Sequence, residues 1–405
     1  MAVSSQGGKL LIIGTHPVQY QAPVYRSLEA TWGVPVNMIY ASDFSVTGYF
    51  DKAFQTRLAW DVDLFTAPER CVFLSRSSEG GATCFDEISA KGLGKAMAAS
   101  KPAAVLLTGY SPAFHRLAFY HAMRMGYPIM LRAETVDRSL DADADRPVKW
   151  MKNILLRSMY AGCRRLLPIG KRSYQHYRQL GCPDQKLVFS RYCVDTSPFH
   201  CDERARAELR PAARAEMGLA EDTIALLFAG KLEMRKRPGM LLAAVKLLPP
   251  AERSRIALVF LGSGKEQETL RAEAAKDPAV QTVFLGFKNQ TELSPYYHAA
   301  DMLVLPSTLE TWGLVVNEAL HHGVPCVVTD TVGCAPDLVQ PGITGEIASG
   351  TPQSLADALL RALRLSKRED VRAACRSLVE NYTVEKASKG IHDAFHQVVN
   401  PLATP

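Results

Sequence analysis

Short apolar runs, rich in Val, Ile and Leu, recur along this chain with room for a helix between one and the next. In the first half they cover residues 9–14, 34–41, 103–108, 129–132 and 165–169. In the second half they cover 224–229, 256–261, 282–285, 301–305 and 324–329. Runs of that length without polar alternation, bounded by Gly or Pro, are the pattern of strands covered on both faces of a parallel sheet. Segments with apolar positions at helical spacing alternate with them, at 113–125, 147–161, 238–248, 265–275 and 353–365. Two successive β/α series predict two doubly wound α/β sheets.

A Pro-containing extended stretch from Ser190 to Phe199 closes the first series, and a helix of alternating charge over 204–216 opens the second. The pattern places one Rossmann-like domain at 1–193 and another at 194–377, with a hinge near Val194. Residues 42–90 are irregular, with Gly80-Gly81 and the aromatic residues Tyr49, Phe50, Phe54 and Trp60. They read as an excursion from the first domain on its substrate side. Residues 378–405 contain Ala387, Ile391, Ala394, Phe395 and Val398 near helical spacing.

Composition narrows the class. A chain of 405 residues with 47% hydrophobic and 22% charged positions is globular and long enough for two domains. A net charge of +6, spread along the chain, gives no case for a nucleic-acid partner. It permits acidic ligands or loose contact with an anionic membrane surface. Nine scattered cysteines without a C-x-x-C pair fit reduced thiols better than a disulfide framework. With no signal peptide and no apolar window long enough to span a bilayer, the expectation is a cytoplasmic protein with room for contact at the inner membrane face. His321, His322, Cys326 and Cys334 cluster in sequence but match no common zinc spacing, so they read as core and loop residues.

The densest chemistry lies between 301 and 320. A buried run ends at Pro306 and helical spacing begins after Gly313, so Glu310 falls in a strand-to-helix loop and Glu318 in the helix's second turn. Unpaired N–H groups and the dipole make a helix N-terminus a seat for phosphate. Two carboxylates beside such a seat can accept hydrogen bonds from hydroxyls, one on a sugar and one on a ribose. An isolated pair of glutamates with this spacing is more often a solvated loop and a helix surface. The neighbouring motifs tip the balance.

In Phe228 to Pro238 a buried run ends at Gly230, a basic loop carries Lys231 and Lys236, and Pro238 suits the first position of a helix. Both lysines would reach the C-terminal edge of the sheet, where doubly wound folds bind ligands; a solvated basic loop has the same pattern. Gly286-Phe287 follows another run, with a backbone able to meet a nucleotide base or a ring able to plug the core. Gly262-Ser-Gly264-Lys265 lacks both the dinucleotide and the P-loop spacing. In the first half, Gly14-Thr15-His16 opens a helix after the first run, and His16 is read equally as a ligand contact or a helix cap. Arg132, Glu134 and Asp137 follow a later run and fit either acceptor-side chemistry or an ion-paired structural loop.

These residues together resemble the GT-B glycosyltransferases, in particular the retaining group called family 4. Gly230-Lys231-Leu with Lys236, the pair Glu310 and Glu318, and Gly323-Val-Pro325-Cys-Val327 carry the likeness tightly from about Phe228 to Gly345. In the first half, His16 to Tyr20 and Arg132-Ala-Glu134 look like a bacterial subgroup that makes polysaccharides. The resemblance implies two Rossmann-like domains facing across a cleft, with 378–405 crossing back to the first. It implies a hexosyltransferase moving a sugar from a UDP- or GDP-sugar to a hydroxyl on a glycan, a lipid-linked glycan or a small molecule. No cofactor is implied beyond this nucleotide-sugar co-substrate, and no metal site.

By the same likeness Lys231, Lys236 and Glu310 are catalytic, with the lysines neutralising the departing diphosphate and Glu310 on the sugar. Gly14, Gly230, Phe287, Thr311, Trp312, Gly313, Leu314 and Glu318 are donor-binding, Glu318 on the ribose, while His16, Arg132, Glu134 and Asp137 lie on the acceptor side. Two departures stand out. Lys231 occupies a position where Arg is commoner, which keeps the charge and loses bidentate geometry. The first-domain histidine usual near the acceptor has no clear match, since Glu134 or Asp137 occupies that region. A nucleotide-sugar epimerase of the same architecture, or a non-catalytic nucleotide-sugar-binding protein, are the rival readings.

Overall fold

A computed structural model of the chain describes residues 8–51, 54–65, 68–135, 146–366, 368 and 370–400. In chain order the first series runs β1 (Leu10–Gly14), β2 (Val36–Tyr40), a short pair β3 (Tyr49–Asp51) and β4 (Thr56–Leu58), β5 (Cys71–Phe73), β6 (Ala104–Leu107), β7 (Ile129–Leu131) and β8 (Arg165–Leu166). The second runs β9 (Ile224–Ala229), β10 (Ile256–Leu261), β11 (Gln281–Gly286), β12 (Met302–Leu305), β13 (Cys326–Thr329) and β14 (Gly345–Ala348).

Two parallel six-stranded sheets result, ordered β5-β2-β1-β6-β7-β8 and β11-β10-β9-β12-β13-β14, while β3 and β4 form a two-stranded sheet of their own. Every position of β1, β9 and β10 is buried, because helices cover both faces of each sheet. That double burial is why these strands read as continuous apolar runs. The strand order reverses at β1/β6 in one sheet and at β9/β12 in the other. Such a reversal leaves a crevice outside the carboxyl ends of the two central strands.

By its internal packing the chain divides into two compact units. One takes the residues up to Tyr49, Leu58–Cys193 and those from Tyr382 onward; the other takes Phe50–Arg57 and Val194–Asn381. The excursion read at 42–90 is therefore not wholly a part of the first unit. The last helix, Val384–Val399, buries Ala387, Ile391, Ala394 and Phe395 in the first unit's core. Its approach is close: a Cβ on Gly390 would lie 2.0 Å from the carbonyl oxygen of Phe189.

In the second unit the charged helix Glu203–Glu216 does more than face solvent. Arg206, Arg210 and Arg214, one turn apart, donate to the carbonyls of His298, Ala299 and Ala300, and Arg210 pairs with Asp301 at 2.7 Å. Cations at the open carbonyl end of the helix Ser294–Ala299 satisfy groups that its own ladder cannot. They also fix where β12 begins, and hence where its far end delivers the residues that follow.

Candidate functional site

The loops after β9 and β12 flank the reversal point of the second sheet. After β9 the chain passes through Gly230, at φ +132°, into Lys231, then a tight turn at Met234–Lys236, and Pro238 starts a helix. Glycines hold this loop against its neighbour. A Cβ on Gly262 would lie 2.0 Å from the Gly230 oxygen, and one on Gly264 would lie 2.4 Å from the Leu232 oxygen. The pair Gly262/Gly264, phosphate-like in sequence, therefore serves close backbone packing. Leu232 N–H donates to Ser263 and Glu266 N–H to Leu232, both at 2.9 Å.

After β12 the loop 307–313 is clamped by the loop that follows β13. Thr329 and Thr331 hydroxyls donate to the Ser307 carbonyl at 2.6 and 2.5 Å. Gly333 and Cys334 N–H groups donate to the Glu310 and Trp312 carbonyls, each at 2.9 Å. Gly313, at φ +100°, turns the chain into the helix Leu314–His321, whose N-terminus carries no side-chain cap. Leu314 begins that helix and Glu318 stands on its second turn.

Glu310 is buried, and Lys236 donates its ammonium to the carboxylate while Ser307 Oγ approaches at 3.4 Å. Glu318 accepts a 2.6 Å bond from the Tyr297 hydroxyl. Burial pushes the Glu318 carboxyl above the ordinary carboxylate range, against the pull of the Tyr297 bond and the nearby Lys236 charge. Lys236 thus serves two carboxylates. Lys231 pairs with Asp51 at 3.1 Å and lies 4.9 Å over the ring of Phe54. Phe54 meets Phe287 edge-on at 5.2 Å, and its carbonyl accepts a 2.7 Å bond from Ser263. Within one unit these contacts make two sets, Lys236 with Glu310 and Glu318, and Lys231 with Asp51, Phe54 and Phe287.

Several expectations change. The Trp312 indole is buried and donates to Asn317 Oδ1 at 2.8 Å, so it packs the helix instead of facing a ligand. Gly14 lies in the first unit, where a Cβ would press on the Tyr40 ring at 3.0 Å; packing accounts for that glycine. Arg132 is buried and donates to Ser190 Oγ at 2.8 Å and to the carbonyls of Ser190 and Arg191, stacked 5.0 Å over Tyr192. Its guanidinium braces the 190–192 segment. Glu134 is exposed and accepts from the Tyr20 hydroxyl at 2.9 Å and from Tyr192. His16 is half-buried beside Phe44, 3.0 Å from Thr15 Oγ1, and burial holds its pKa down at about 4, so its ring is neutral. Asp137 lies outside the described residues.

Asp51, Tyr297 and Ser307 escaped the sequence reading, which placed Phe54 only among the aromatic residues of the 42–90 excursion. Asp51 reaches Lys231 from 180 positions away, and nothing local in Tyr49–Asp51 signals that contact. Tyr297 is one of two adjacent tyrosines on a short apolar helix and reads as core. Ser307 could have been noticed, since it follows Pro306 at a strand tip.

Residues 210–382 match the family described as Glycosyl transferases group 1. A D-inositol 3-phosphate glycosyltransferase of Frankia alni is 29% identical over 304 residues, 71% of this chain and 73% of that protein. The Streptomyces griseus protein of the same name is 39% identical over 162 residues, 38% of this chain and about a third (34%) of its own length. In fold, the crystal structure of Anabaena HepE in complex with UDP superposes with a TM-score of 0.67 at 14% identity, over 95% of this chain and 98% of that one. The chain has the GT-B fold, and over residues 210–382 it is similar to the group 1 glycosyltransferases.

Proposed function

We propose that the protein transfers a sugar from a nucleoside diphosphate sugar to a hydroxyl acceptor, with retention at the anomeric carbon, in the synthesis of a polysaccharide or glycoconjugate. The observation that carries this reading is the Lys236 ammonium, bonded to Glu310 and near Glu318 beside an uncapped helix N-terminus at the β9/β12 reversal. Phosphate oxygens would take N–H groups of Gly313 and Leu314, with Lys231 and Lys236 as counter-charges. Glu318 would accept from the ribose and Glu310 from a sugar hydroxyl.

In the reaction the bond from the anomeric carbon to the phosphate oxygen breaks and its electron pair goes to the diphosphate. Charge develops where the two lysines stand, so they stabilise the transition state more than the ground state, without a metal ion in that role. The acceptor oxygen bonds to the same face of the carbon, and its proton passes to the leaving phosphate. The glycosyltransferase names of the relatives support sugar transfer, and the UDP-bound neighbour makes UDP-sugars the first donors to try. A panel of nucleotide sugars incubated with the pure protein tests the reading. One donor should be slowly hydrolysed. Recovery of an epimerised nucleotide sugar, or binding without turnover once acceptors are added, would overturn it.

A further inference from the structure

In the first unit, the helices Ala113–Arg124 and Arg146–Gly162 cover the same core cluster and meet at the end of the second. Gly162 sits against Phe119 and Met123, and Leu156 and Tyr160 share a core cluster with Phe114 and Ala118. Helices in that position ordinarily turn polar residues outward. Here Leu117, Tyr120 and Met123 on one helix, and Trp150, Met151, Ile154 and Leu155 on the other, are 43–66% exposed. They make up seven of the thirteen large hydrophobic residues exposed among the described residues. Single exposed apolar residues are ordinary, whereas a concentration on two neighbouring helices marks a contact surface.

The charge on these helices is of one sign. Neither contains Asp or Glu, and Arg116, Arg124 and Arg157 are exposed, as is Arg164 just beyond the second helix. The nearest acidic run, Asp137 to Asp145, precedes the second helix in sequence and lies outside the described residues. An apolar face with amphipathic Trp and Tyr, rimmed by arginines, fits the boundary between lipid headgroups and acyl chains. A two-fold contact between copies would set those arginines against one another with no carboxylate on either helix to answer them.

We infer that this face docks the protein on the surface of an anionic lipid bilayer. The apolar side chains enter the headgroup region and the arginines hold lipid phosphates. The contact is peripheral, since among the described residues no helix is long and apolar enough to cross a membrane. It uses none of the donor-site residues, so it stands or falls separately from the transfer reaction.

Co-sedimentation of the full chain with vesicles of phosphatidylcholine alone, or of phosphatidylcholine mixed with phosphatidylglycerol, tests the proposal. Binding should favour the anionic vesicles and weaken as the Debye length shrinks from about 10 Å at 0.1 M salt to about 3 Å at 1 M. Trp150→Ser with Leu155→Ser should weaken binding at least about tenfold. Arg116→Gln with Arg124→Gln should weaken it about fivefold per charge. Both pairs are exposed, so melting curves should match the parent. Equal binding to both vesicles, or full retention by either double variant, would overturn the proposal. So would a dimer in solution that the same substitutions abolish, which would give the face to a second copy of the chain.

Discussion

Lys236 is the residue on which the site turns, because its one ammonium bonds the buried Glu310 carboxylate and acts on that of Glu318. Removing a charged partner from a desolvated phosphate site typically raises the barrier by about 3–4 kcal/mol, or roughly 10²–10³ in rate. Lys236→Ala should lower turnover by that much. It also leaves Glu310 buried without its cation, so a thermal melt must accompany the rate; a folded variant within about threefold of the parent would remove Lys236 from the mechanism. The two glutamates should separate. Glu318→Ala is expected to weaken binding of the free nucleoside diphosphate, and Glu310→Ala to spare that binding while depressing transfer. Calorimetry with the nucleotide alone decides between them, and equal losses would collapse the division of labour. These residues were legible in the sequence because each follows a buried strand at a fixed short distance, so local spacing alone brings them to one sheet edge. Tyr297 and Asp51 were not, since their place depends on how distant segments pack.

At the scale of elements, the short pair β3 and β4 is the least expected part of the fold. Three residues per strand are too few to show a period, and the Lys231 partner of Asp51 lies far away in sequence. β14 was missed for another reason: it carries Glu346, whose buried carboxylate pairs with Arg361 at 2.9 Å, so its four residues do not read as an apolar run. Glycines 262, 264 and 333 give no local sign of the backbones they admit. Asp51 sets a carboxylate on the lysine that a diphosphate would need. Replacing it by Asn removes a competing charge of the ligand's own sign. Asp51 is buried but Lys231 is partly open to solvent, which screens the pair, so Asp51→Asn should tighten nucleoside diphosphate binding by about fivefold at most. Looser binding by calorimetry would mean instead that Asp51 positions Lys231 for the ligand.

For the whole molecule, the two β/α series were plain in the sequence because strands buried on both faces leave unbroken apolar runs. The ownership of Phe50–Arg57 by the second unit was not, since no periodicity records which core a connecting segment joins. Both units share one electrostatic trait with a consequence for stability. His115 in the first unit and His322 in the second are buried, and burial lowers their pKa values to about 4 and about 3. His322 is held neutral between the Glu318 carbonyl at 2.7 Å and Ser294 Oγ at 2.9 Å. In the unfolded chain a histidine takes its proton near pH 6.5, so below that pH the unfolded state binds more protons and gains on the folded one. Each such group can withdraw up to about 1.4 kcal/mol per pH unit between pH 6.5 and its folded value. Glu318 acts with the opposite sign, because its raised pKa lets the folded state take a proton first. His16 and His321, both lowered to about 4, add to the histidine side. Urea midpoints should therefore be level from pH 8 to 6.5 and fall between pH 6.5 and 5, before ordinary carboxylates begin to titrate. His322→Gln, which keeps a polar side chain but cannot take the proton, should flatten part of that fall. Midpoints equal at pH 5 and pH 7 in the parent chain would show that these rings are not held neutral by the fold.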